Sequence, residues 1–325
     1  MGEDSHWVED IMFIQVQPRQ RPDAGPTSSL VWNPFHAIYV AQSPVRMQRL
    51  ELADTCAFCA DVTSGRIPPT TRAWIRPNDF PALQPPTGEC YILIYAAGHD
   101  RSFADLSVDE VVRVVALWQR VYTHLSRRYP AVMTWETSGE AIGQTQRHPH
   151  GQTYGVSILP DTLARELRAI EEAHAKGQGC PYCREVREES GGPRAVLEGE
   201  HWLAYVPRYA RYPYQVHLSP RRHLQNISVF DVQGASAREL AGSLSRIVRA
   251  YHRIYEHPMP YMLAVHQLAD ERFHLHVELL PVGRAQGKLK LAASSEMAWG
   301  LWLNDATAES KAEELRALVE QEHAE

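Results

Sequence analysis

The chain has 325 residues, of which 44% are hydrophobic and 22% charged, enough apolar material for two ordinary domains or for one domain built twice. Its formal net charge of -6 disfavours a general nucleic-acid-binding protein, which usually carries a basic excess. No apolar stretch approaches the roughly 18 residues of a membrane span. The acidic start, MGEDSHWVED, lacks the apolar core of a secretory signal. We therefore expect a cytoplasmic protein with no nucleic-acid or membrane partner.

Two C-x-x-C pairs are the first sign of an internal repeat. The odd total of five cysteines argues against a disulfide framework, so the pairs are interpreted as metal ligands. The first pair is followed by the apolar strand ECYILIYA and then by His99. The second pair is followed by the strand YQVHLSP and then by His223, and the spacing from cysteine to histidine is the same. The pairs are Cys56 with Cys59, and Cys180 with Cys183.

An amphipathic helix follows each isolated histidine. The two helices, LSVDEVVRVVALWQRVYTHLSRR and SARELAGSLSRIVRAYHRIYEH, show apolar residues at i, i+3 and i+4. Each leads to a further strand and a histidine pair, H-P-H-G-Q from His148 and H-L-H-V-E from His274. The repeated order predicts an α+β fold of two duplicated halves, each an antiparallel sheet with a packed helix. We place the halves at 1–176 and 177–325, with an extra strand in HAIYVAQ and a C-terminal helix.

The first half offers one complete set of metal ligands. Two thiolates and two imidazoles suit a tetrahedral zinc ion. Four protein ligands fill the shell, so we expect a structural Zn²⁺. The predicted ligands are Cys56, Cys59, His99 and His148.

The second half offers two competing sets of ligands. Repeat symmetry predicts the set Cys180, Cys183, His223 and His274. The alternative joins one carboxylate to three imidazoles, which suits Zn²⁺ or Fe²⁺. Its members are Glu166, His266, His274 and His276. Because His274 belongs to both sets, the sequence leaves the choice open.

His150 is the candidate nucleophile. The proline and glycine beside it can distort the alternation of a strand, so that His148 serves the metal while His150 faces a substrate. A neutral imidazole attacks phosphorus well when its other nitrogen is held as a donor. Gln152 can donate to a phosphoryl oxygen but carries no acidic proton. This combination favours carrying a nucleotide on the histidine.

These motifs together resemble the galactose-1-phosphate uridylyltransferase family of the histidine-triad superfamily, over nearly the whole chain. The similar segments are WNPFHAIYVAQSPVRMQR, RPNDFPAL, ETSGEAIGQTQRHPHGQ and GKLKLAASSE. The last is similar to a segment that, in the family, reaches the partner subunit's site and touches the sugar. The resemblance also implies that the set containing Glu166 is the family's second metal site. It implies substrate contacts at Arg46, Arg49, Asn78, Asp79, Phe80, Gly139, Thr145, Lys290 and Glu296.

The resemblance implies a ping-pong nucleotidyltransferase. UDP-glucose would transfer its uridylyl group to His150, and galactose 1-phosphate would then accept it to give UDP-galactose. The implied partners are a nucleotide sugar, a sugar 1-phosphate and a second copy of the chain in a homodimer with shared active sites. The second half would bind metal without catalysis, because Glu278 stands where Gln152 stands in the first half.

Several positions depart from the family's pattern, among them Ala37 and the segment QTQR before His148. Thr137 replaces an asparagine, Thr145 replaces a serine, and Ser295 replaces a frequent aromatic residue. A related nucleotidyltransferase or nucleotide phosphorylase with another nucleotide or acceptor is therefore the alternative function. An alternative of a different class is a metal-stabilised nucleotide-binding protein without catalysis.

Overall fold

A computed structural model describes residues 11–13, 28–48, 56–229, 231–255 and 258–321. The strands are β1 (Ile11–Phe13), β2 (Ser29–Asn33), β3 (Ile38–Gln42), β4 (Ala73–Pro77), β5 (Gly88–Ile94), β6 (Ala131–Ser138), β7 (His150–Val156), β8 (Ala195–Glu198), β9 (Trp202–Tyr205), β10 (Val216–Pro220), β11 (Tyr261–His266), β12 (His276–Pro281), β13 (Gly283–Ala285) and β14 (Lys288–Leu289). The helices are α1 (Ala57–Thr63), α2 (Val108–Leu125), α3 (Asp161–Ala175), α4 (Pro181–Glu189), α5 (Ala235–Ile254), α6 (Ser294–Trp299) and α7 (Ala308–Gln321). Arg49, one of the predicted substrate residues, lies outside the described residues.

Ten of the strands form one sheet in the order β1-β4-β5-β7-β6-β11-β12-β10-β9-β8. The central eight strands show the internal repeat. The order β4-β5-β7-β6 in the first half corresponds to β9-β10-β12-β11 in the second half, and the two sets run in from opposite edges of the sheet. Neighbouring strands are antiparallel except β1 and β4, which are parallel. The predicted α+β class and the repetition are confirmed. The division at residue 176 stays a prediction.

The two halves share the sheet through β6 and β11. These strands pair from Thr134 opposite Val265 to Ser138 opposite Tyr261. The sequence predicted a sheet in each half, but not that the two sheets would be continuous. Strand β6 alone therefore separates β7 of the first half from β11 of the second half in the sheet order.

The two predicted amphipathic helices are α2 and α5, which pack against each other and against the sheet. At the start of α2, Ser107 Oγ accepts a hydrogen bond from the Glu110 backbone N–H at 3.2 Å, and the Glu110 carboxylate accepts one from the Ser107 N–H at 2.8 Å. This reciprocal capping satisfies donors that the first turn leaves unpaired. Trp118 and Tyr251 lie in the core between helices and sheet. In the described ranges, no helix combines the length and the apolar character that crossing a membrane requires.

The strand predicted in HAIYVAQ is found as β3, but it does not extend the main sheet. It pairs with β2 in a separate hairpin, where the rings of Trp32 and Tyr39 lie 4.9 Å apart. Both rings are close to half exposed, and Phe35 in the turn is 92% exposed. The predicted C-terminal helix is α7, which packs against α5 and β8.

Candidate active site and metal centres

The first predicted metal set comes together at the start of α1. Cys56 is the residue that caps this helix, and Cys59 lies one turn later. The distances from cysteine Sγ to histidine Nδ1 are 3.7 Å for Cys56–His148, 3.6 Å for Cys59–His148 and 3.5 Å for Cys59–His99. Zinc bonds of about 2.3 Å to sulfur and about 2.0 Å to nitrogen, at tetrahedral angles, separate S from N by about 3.6 Å. The four residues therefore fit a tetrahedral zinc ion.

His148 is oriented for this role by its second nitrogen. Its Nε2–H donates to the Ala96 carbonyl at 2.7 Å, so Nδ1 keeps its lone pair and faces the thiols. Burial lowers the pKa of His148, which keeps the ring neutral. A neutral imidazole held by a backbone carbonyl is the usual form of a metal-ligating histidine.

The second half contains a matching cluster at the start of α4. Cys180 caps this helix, and its Sγ lies 3.6 Å from His274 Nδ1. Cys183 Sγ lies 3.4 Å from the same nitrogen and 3.3 Å from His223 Nδ1. His274 Nε2–H donates to the Pro220 carbonyl at 3.1 Å, as His148 does to Ala96. The set that repeat symmetry predicted is therefore assembled.

A third cluster corrects the alternative set. Glu166 on α3 lies against His266 at the end of β11, with 2.9 Å between Oε1 and Nδ1, and His276 begins β12. His274 was predicted here too, but it precedes β12, outside the regular strand, and its Nδ1 faces the cysteines. Glu278 takes its place, and the ligand atoms of the four residues lie within 4.8 Å of one another.

The third cluster has the chemistry of a cation site. His276 is fully buried, and its Nε2 has no hydrogen-bond partner among the described residues. Glu278 accepts hydrogen bonds from Arg211 Nη2 at 2.7 Å and lies 3.2 Å from His217 Nε2. Burial alone would raise the pKa of Glu278, but His217, His266 and Arg211 hold it well below its usual value. Two carboxylates and two imidazoles suit zinc or iron.

His150 begins β7 with its ring in a defined orientation. Its Nδ1–H donates to the His148 carbonyl at 2.8 Å, which makes Nε2 the basic nitrogen. The Phe58 ring packs 5.1 Å away, between centroids. Gly151 has to be glycine, because a Cβ there would collide with the Tyr95 hydroxyl beneath the strand. The nucleophile is thus held by a backbone contact and by close packing under its own strand.

A polar cavity of about 290 Å³ lies beside His150. Its lining residues are Arg46, Ala82, Trp135, Thr137, Ile142, Gly143, Gln144, Thr145, His150, Gly151, Gln152 and Tyr154. Four predicted site residues are therefore gathered at one cavity: His150, Gln152, Arg46 and Thr145. Thr137, where the sequence departs from the family's pattern, also faces this space.

Gln152 is oriented by two neighbours. Its Oε1 accepts hydrogen bonds from the Tyr154 hydroxyl at 3.1 Å and from Asn78 Nδ2 at 3.5 Å. This leaves the amide NH₂ group as the donor on the cavity side. Arg46 Nη1 donates to the Tyr154 hydroxyl at 3.4 Å, which brings a cation to the same wall.

The predicted segment 78–80 lies behind Gln152 and is not part of the cavity lining. Asp79 Oδ2 accepts a hydrogen bond from Arg76 Nη2 at 2.8 Å. The Phe80 backbone N–H donates to Asn78 Oδ1 at 2.9 Å, which fixes the turn. Of this segment, Asn78 alone has a described contact with a lining residue, Gln152.

Gly139 shapes the loop that carries Thr145. Its φ of +111° belongs to glycine, and an added Cβ would meet Pro260 at 2.6 Å. Its N–H donates to Gln144 Oε1 at 2.6 Å. Gly139 is not among the lining residues, so its predicted substrate contact stays a prediction, whereas its conformation and contacts shape the loop beside the cavity.

Lys290 and Glu296 are away from the cavity lining of their own chain. Lys290 Nζ lies 3.4 Å from Glu296 Oε1 and donates to the Leu303 carbonyl. The segment around them exposes large apolar side chains: Met297 is 73% exposed and Trp299 is 85% exposed. Within one chain the two residues therefore form a largely buried ion pair, with side chains 8% and 7% exposed, in a segment whose neighbouring apolar side chains are exposed.

An imidazole with a fixed tautomer, beside a polar cavity and two Cys/His clusters that could hold metal, suits a group-transfer enzyme. Two family models match the chain, described as the N-terminal domain of galactose-1-phosphate uridyl transferase, over residues 64–160, and its C-terminal domain, over residues 158–325. The chain belongs to the galactose-1-phosphate uridylyltransferase family, and it is an enzyme.

Individual relatives agree with the family models. The galactose-1-phosphate uridylyltransferase of Thermotoga maritima is 31% identical over 237 residues, which are 70% of this chain and 74% of the relative. That of Haemophilus influenzae is 28% identical over 293 residues, which are 82% of this chain and 83% of the relative. A solved uridylyltransferase structure superposes with a TM-score of 0.80 at 25% identity, over 90% of this chain and 98% of its own.

Proposed function

We propose that the chain transfers a uridylyl group from UDP-glucose to galactose 1-phosphate through a covalent intermediate on His150. The observation that carries the proposal is the hydrogen bond from His150 Nδ1–H to the His148 carbonyl, beside the cavity that Gln152 and Arg46 line. It fixes the tautomer in which Nε2 is the nucleophile. The relatives named above support the choice of substrates.

The first half-reaction forms a bond between His150 Nε2 and the α-phosphorus. The bond from that phosphorus to the bridging oxygen breaks, and glucose 1-phosphate leaves with the electron pair. The imidazole becomes cationic, and the His148 carbonyl, which accepts the Nδ1–H bond, stabilises this charge. The Gln152 amide and the Arg46 guanidinium are placed to stabilise charge on the phosphoryl oxygens.

The second half-reaction reverses the first with another acceptor. A phosphate oxygen of galactose 1-phosphate attacks the phosphorus, and the bond from phosphorus to Nε2 breaks. UDP-galactose leaves, and His150 returns to the neutral tautomer. No step needs an acidic proton from the neighbouring side chain, which fits the presence of an amide at position 152.

We propose two structural Zn²⁺ ions and a third metal. The Cys₂His₂ clusters containing Cys56 and Cys180 would each hold zinc and stabilise the loops that lead into β7 and β12. The cluster of Glu166, His266, His276 and Glu278 would hold Zn²⁺ or Fe²⁺. We assign no step of the reaction to these ions.

We also propose a cytoplasmic homodimer with shared active sites. The five cysteines lie in the described residues as free thiols, four of them in metal clusters, which suits a reducing compartment. Lys290 and Glu296 lie away from their own cavity, with side chains 8% and 7% exposed, in a segment that exposes Met297 and Trp299. A partner that covers this segment would bring them to its own His150.

A different nucleotide or acceptor is the second candidate, and Thr137 and Thr145 favour it. Both line the cavity at positions where the family's pattern has other residues. A threonine offers one hydroxyl where asparagine offers an amide, so base or ribose recognition can differ.

Isotope exchange tests the proposed function and this alternative together. With UDP-glucose and labelled glucose 1-phosphate, and without galactose 1-phosphate, a ping-pong enzyme exchanges label into UDP-glucose. The same exchange is measured with ADP- and GDP-glucose. Exchange fastest with UDP-glucose supports the proposal, exchange fastest with another nucleotide supports the alternative, and no exchange supports a binding protein without catalysis.

A further inference from the structure

A buried ionic network connects the helix of the first metal cluster to the segment 78–80. Asp61 on α1 is 1% exposed, and its Oδ2 lies 2.7 Å from Arg76 Nη1. The other end of the same guanidinium, Nη2, lies 2.8 Å from Asp79 Oδ2. Arg66 Nη1 contacts Asp61 Oδ1 at 2.7 Å, so two guanidinium groups balance two carboxylates. The Arg76 side chain is only 6% exposed, which shelters both of its ion pairs from solvent.

The two ends of this ionic network lie in different segments, one beside the first metal cluster and one behind the cavity wall. Asp61 lies two residues after the metal ligand Cys59, on the same short helix. Asp79 follows Asn78, whose side chain contacts Gln152 on the cavity wall. One guanidinium therefore links the helix that holds the metal to the segment behind the cavity.

The second half shows that a Cys₂His₂ cluster does not need such a link. By strand register, Tyr205 occupies the position of Arg76. Arg76 pairs with Ile92, which pairs with Gln152. Tyr205 pairs with His217, which pairs with Glu278, the counterpart of Gln152. Glu185 takes the place of Asp61, two residues after the second cysteine of its pair, and accepts a hydrogen bond from Tyr209 at 2.8 Å. The distances from cysteine Sγ to histidine Nδ1 are nevertheless similar in the clusters of both halves. The cavity beside His150 lies in the first half, next to the residue that Asn78 contacts, so we connect the arginine link with this cavity.

We infer that Arg76 is a positioning residue, which holds the segment 78–80 to α1 so that nucleotide binding and the first metal cluster stabilise each other. The inference rests on the proposed function, because that proposal puts the nucleotide beside Gln152, which the Asn78 side chain contacts. Removing Arg76 leaves the carboxylates of Asp61 and Asp79 without their shared buried partner. A coupling between two ligands is reciprocal, so bound nucleotide should also slow the loss of the metal.

The test compares Arg76→Met with Arg66→Met in the zinc-loaded protein. Both changes remove a cation from Asp61, but only the first removes the contact with Asp79. The Kd of UMP is measured by calorimetry, and zinc release to a chromophoric chelator is followed with and without saturating UMP. We expect Arg76→Met to weaken UMP binding at least about tenfold and to abolish the slowing of zinc release by UMP. Arg66→Met should keep both properties within about twofold of the wild type.

A second variant covers the case in which Arg76→Met fails to fold. Arg76→Lys keeps the charge but offers a single ammonium group, which cannot bridge both carboxylates as a planar guanidinium does, so it should give an intermediate Kd. Unchanged UMP binding and unchanged coupling in the folded Arg76 variant would overturn the inference while leaving the proposed function intact. A wild-type protein that binds no UMP would contradict the proposed function itself.

Discussion

His150 and His276 occupy equivalent places in the two halves and have opposite surroundings. Each donates from Nδ1 to the carbonyl of the histidine two residues before it, at 2.8 Å and 2.9 Å. His150 lines a cavity, whereas His276 is fully buried, with Glu278 two residues later where the first half has Gln152. The same backbone geometry therefore presents one imidazole to a cavity and the other to a cluster of carboxylates and histidines.

The role of His150 predicts a nearly complete loss of turnover on replacement. His150→Asn should fold and bind UMP, but its turnover should fall below about a thousandth of the wild-type value, a barrier increase of at least about 4 kcal/mol. His174→Asn, a change at an exposed position on α3, is the control and should retain normal turnover. Residual turnover of a few per cent in His150→Asn would assign the nucleophile to another residue.

Glu136 is a buried carboxyl beneath the cavity. It lies on β6, next to Trp135 of the cavity lining, and its Oε1 accepts a hydrogen bond from the Tyr261 hydroxyl at 2.8 Å. Burial raises the pKa of Glu136 to about 8, although the Tyr261 bond acts in the other direction. The folded protein therefore keeps this group protonated at pH values where the unfolded chain has already lost the proton.

This difference predicts a pH dependence of stability with a definite sign. Between the ordinary pKa of 4.5 and about 8, the folded state binds more protons at Glu136 than the unfolded state, so a rise in pH destabilises the fold, by at most about 1.4 kcal/mol per pH unit. Glu136→Gln removes this contribution. Its melting temperature, relative to the wild type, should therefore increase from pH 6 to pH 8. A constant difference over that range would show that Glu136 ionises normally.

At the scale of elements, the metal clusters fix the segments that precede the histidine strands. In both halves a cysteine caps a short helix, and its partners come from the end of one strand and the start of another. The two ligand sets that the sequence offered for the second half shared His274, so only one of them could be complete. The sequence therefore allowed at most two ions in each chain. The structure separates the sets and supports three ions.

Three variants should each remove a different ion. Cys56→Ser, Cys180→Ser and Glu166→Ala should each lower the metal content, measured by elemental analysis, by one ion per chain. Cys56→Ser should also lower the melting temperature by about 5 °C or more, because a structural zinc contributes directly to folding. Glu278→Ala should lose the same ion as Glu166→Ala, and a double variant should lose no further ion. Loss of the Cys180 ion in Glu166→Ala would mean that the second half contains one combined site.

The sequence predicted the elements whose signals are local and repeated. The periodic segments around Val114 and Leu244 became α2 and α5, and the spacing of the cysteine pairs predicted two clusters that the structure assembles. These elements can be predicted because helix periodicity and the spacing within a cysteine pair are properties of short stretches of chain.

The parts that the sequence did not predict depend on contacts between distant segments. Glu278 was interpreted as the counterpart of Gln152, but it lies in one cluster with Glu166 of α3, which is more than 100 residues away in the sequence. The pairing of Asp61 with Arg76 has no periodic signal, because it joins a helix to a strand through one guanidinium group. Hydrophobic pattern likewise gives each strand its buried face but not its neighbour, so the junction between β6 and β11 was also missed.

At the scale of the whole molecule, the exposed apolar C-terminal segment is the surface through which the proposed dimer would form. The segment carries Lys290 and Glu296 and exposes Met297, Trp299 and Leu301. Scattered apolar side chains are common on surfaces, but several in one short segment are typical of an interface.

A mixing experiment tests whether active sites are shared. Protein carrying His150→Asn is mixed with protein carrying Lys290→Ala and Glu296→Ala, each inactive alone, under conditions of subunit exchange. A mixed dimer with shared sites regains one intact site, so the equilibrated mixture should recover about a quarter of the wild-type activity. A monomer on sizing chromatography, or proven exchange without recovery, would mean that each chain works alone.

The most direct measurement is the location of the uridylyl group. The protein is incubated with UDP-glucose labelled in its uridylyl part and quenched in alkali, in which a phosphorus–nitrogen bond to histidine survives. It is then digested, and the modified peptide is sequenced by mass spectrometry. We predict one uridylyl group per chain, attached to His150, which is removed when galactose 1-phosphate is added before the quench. A label on His276 or on another residue, or catalytic exchange without any labelled protein, would contradict the account.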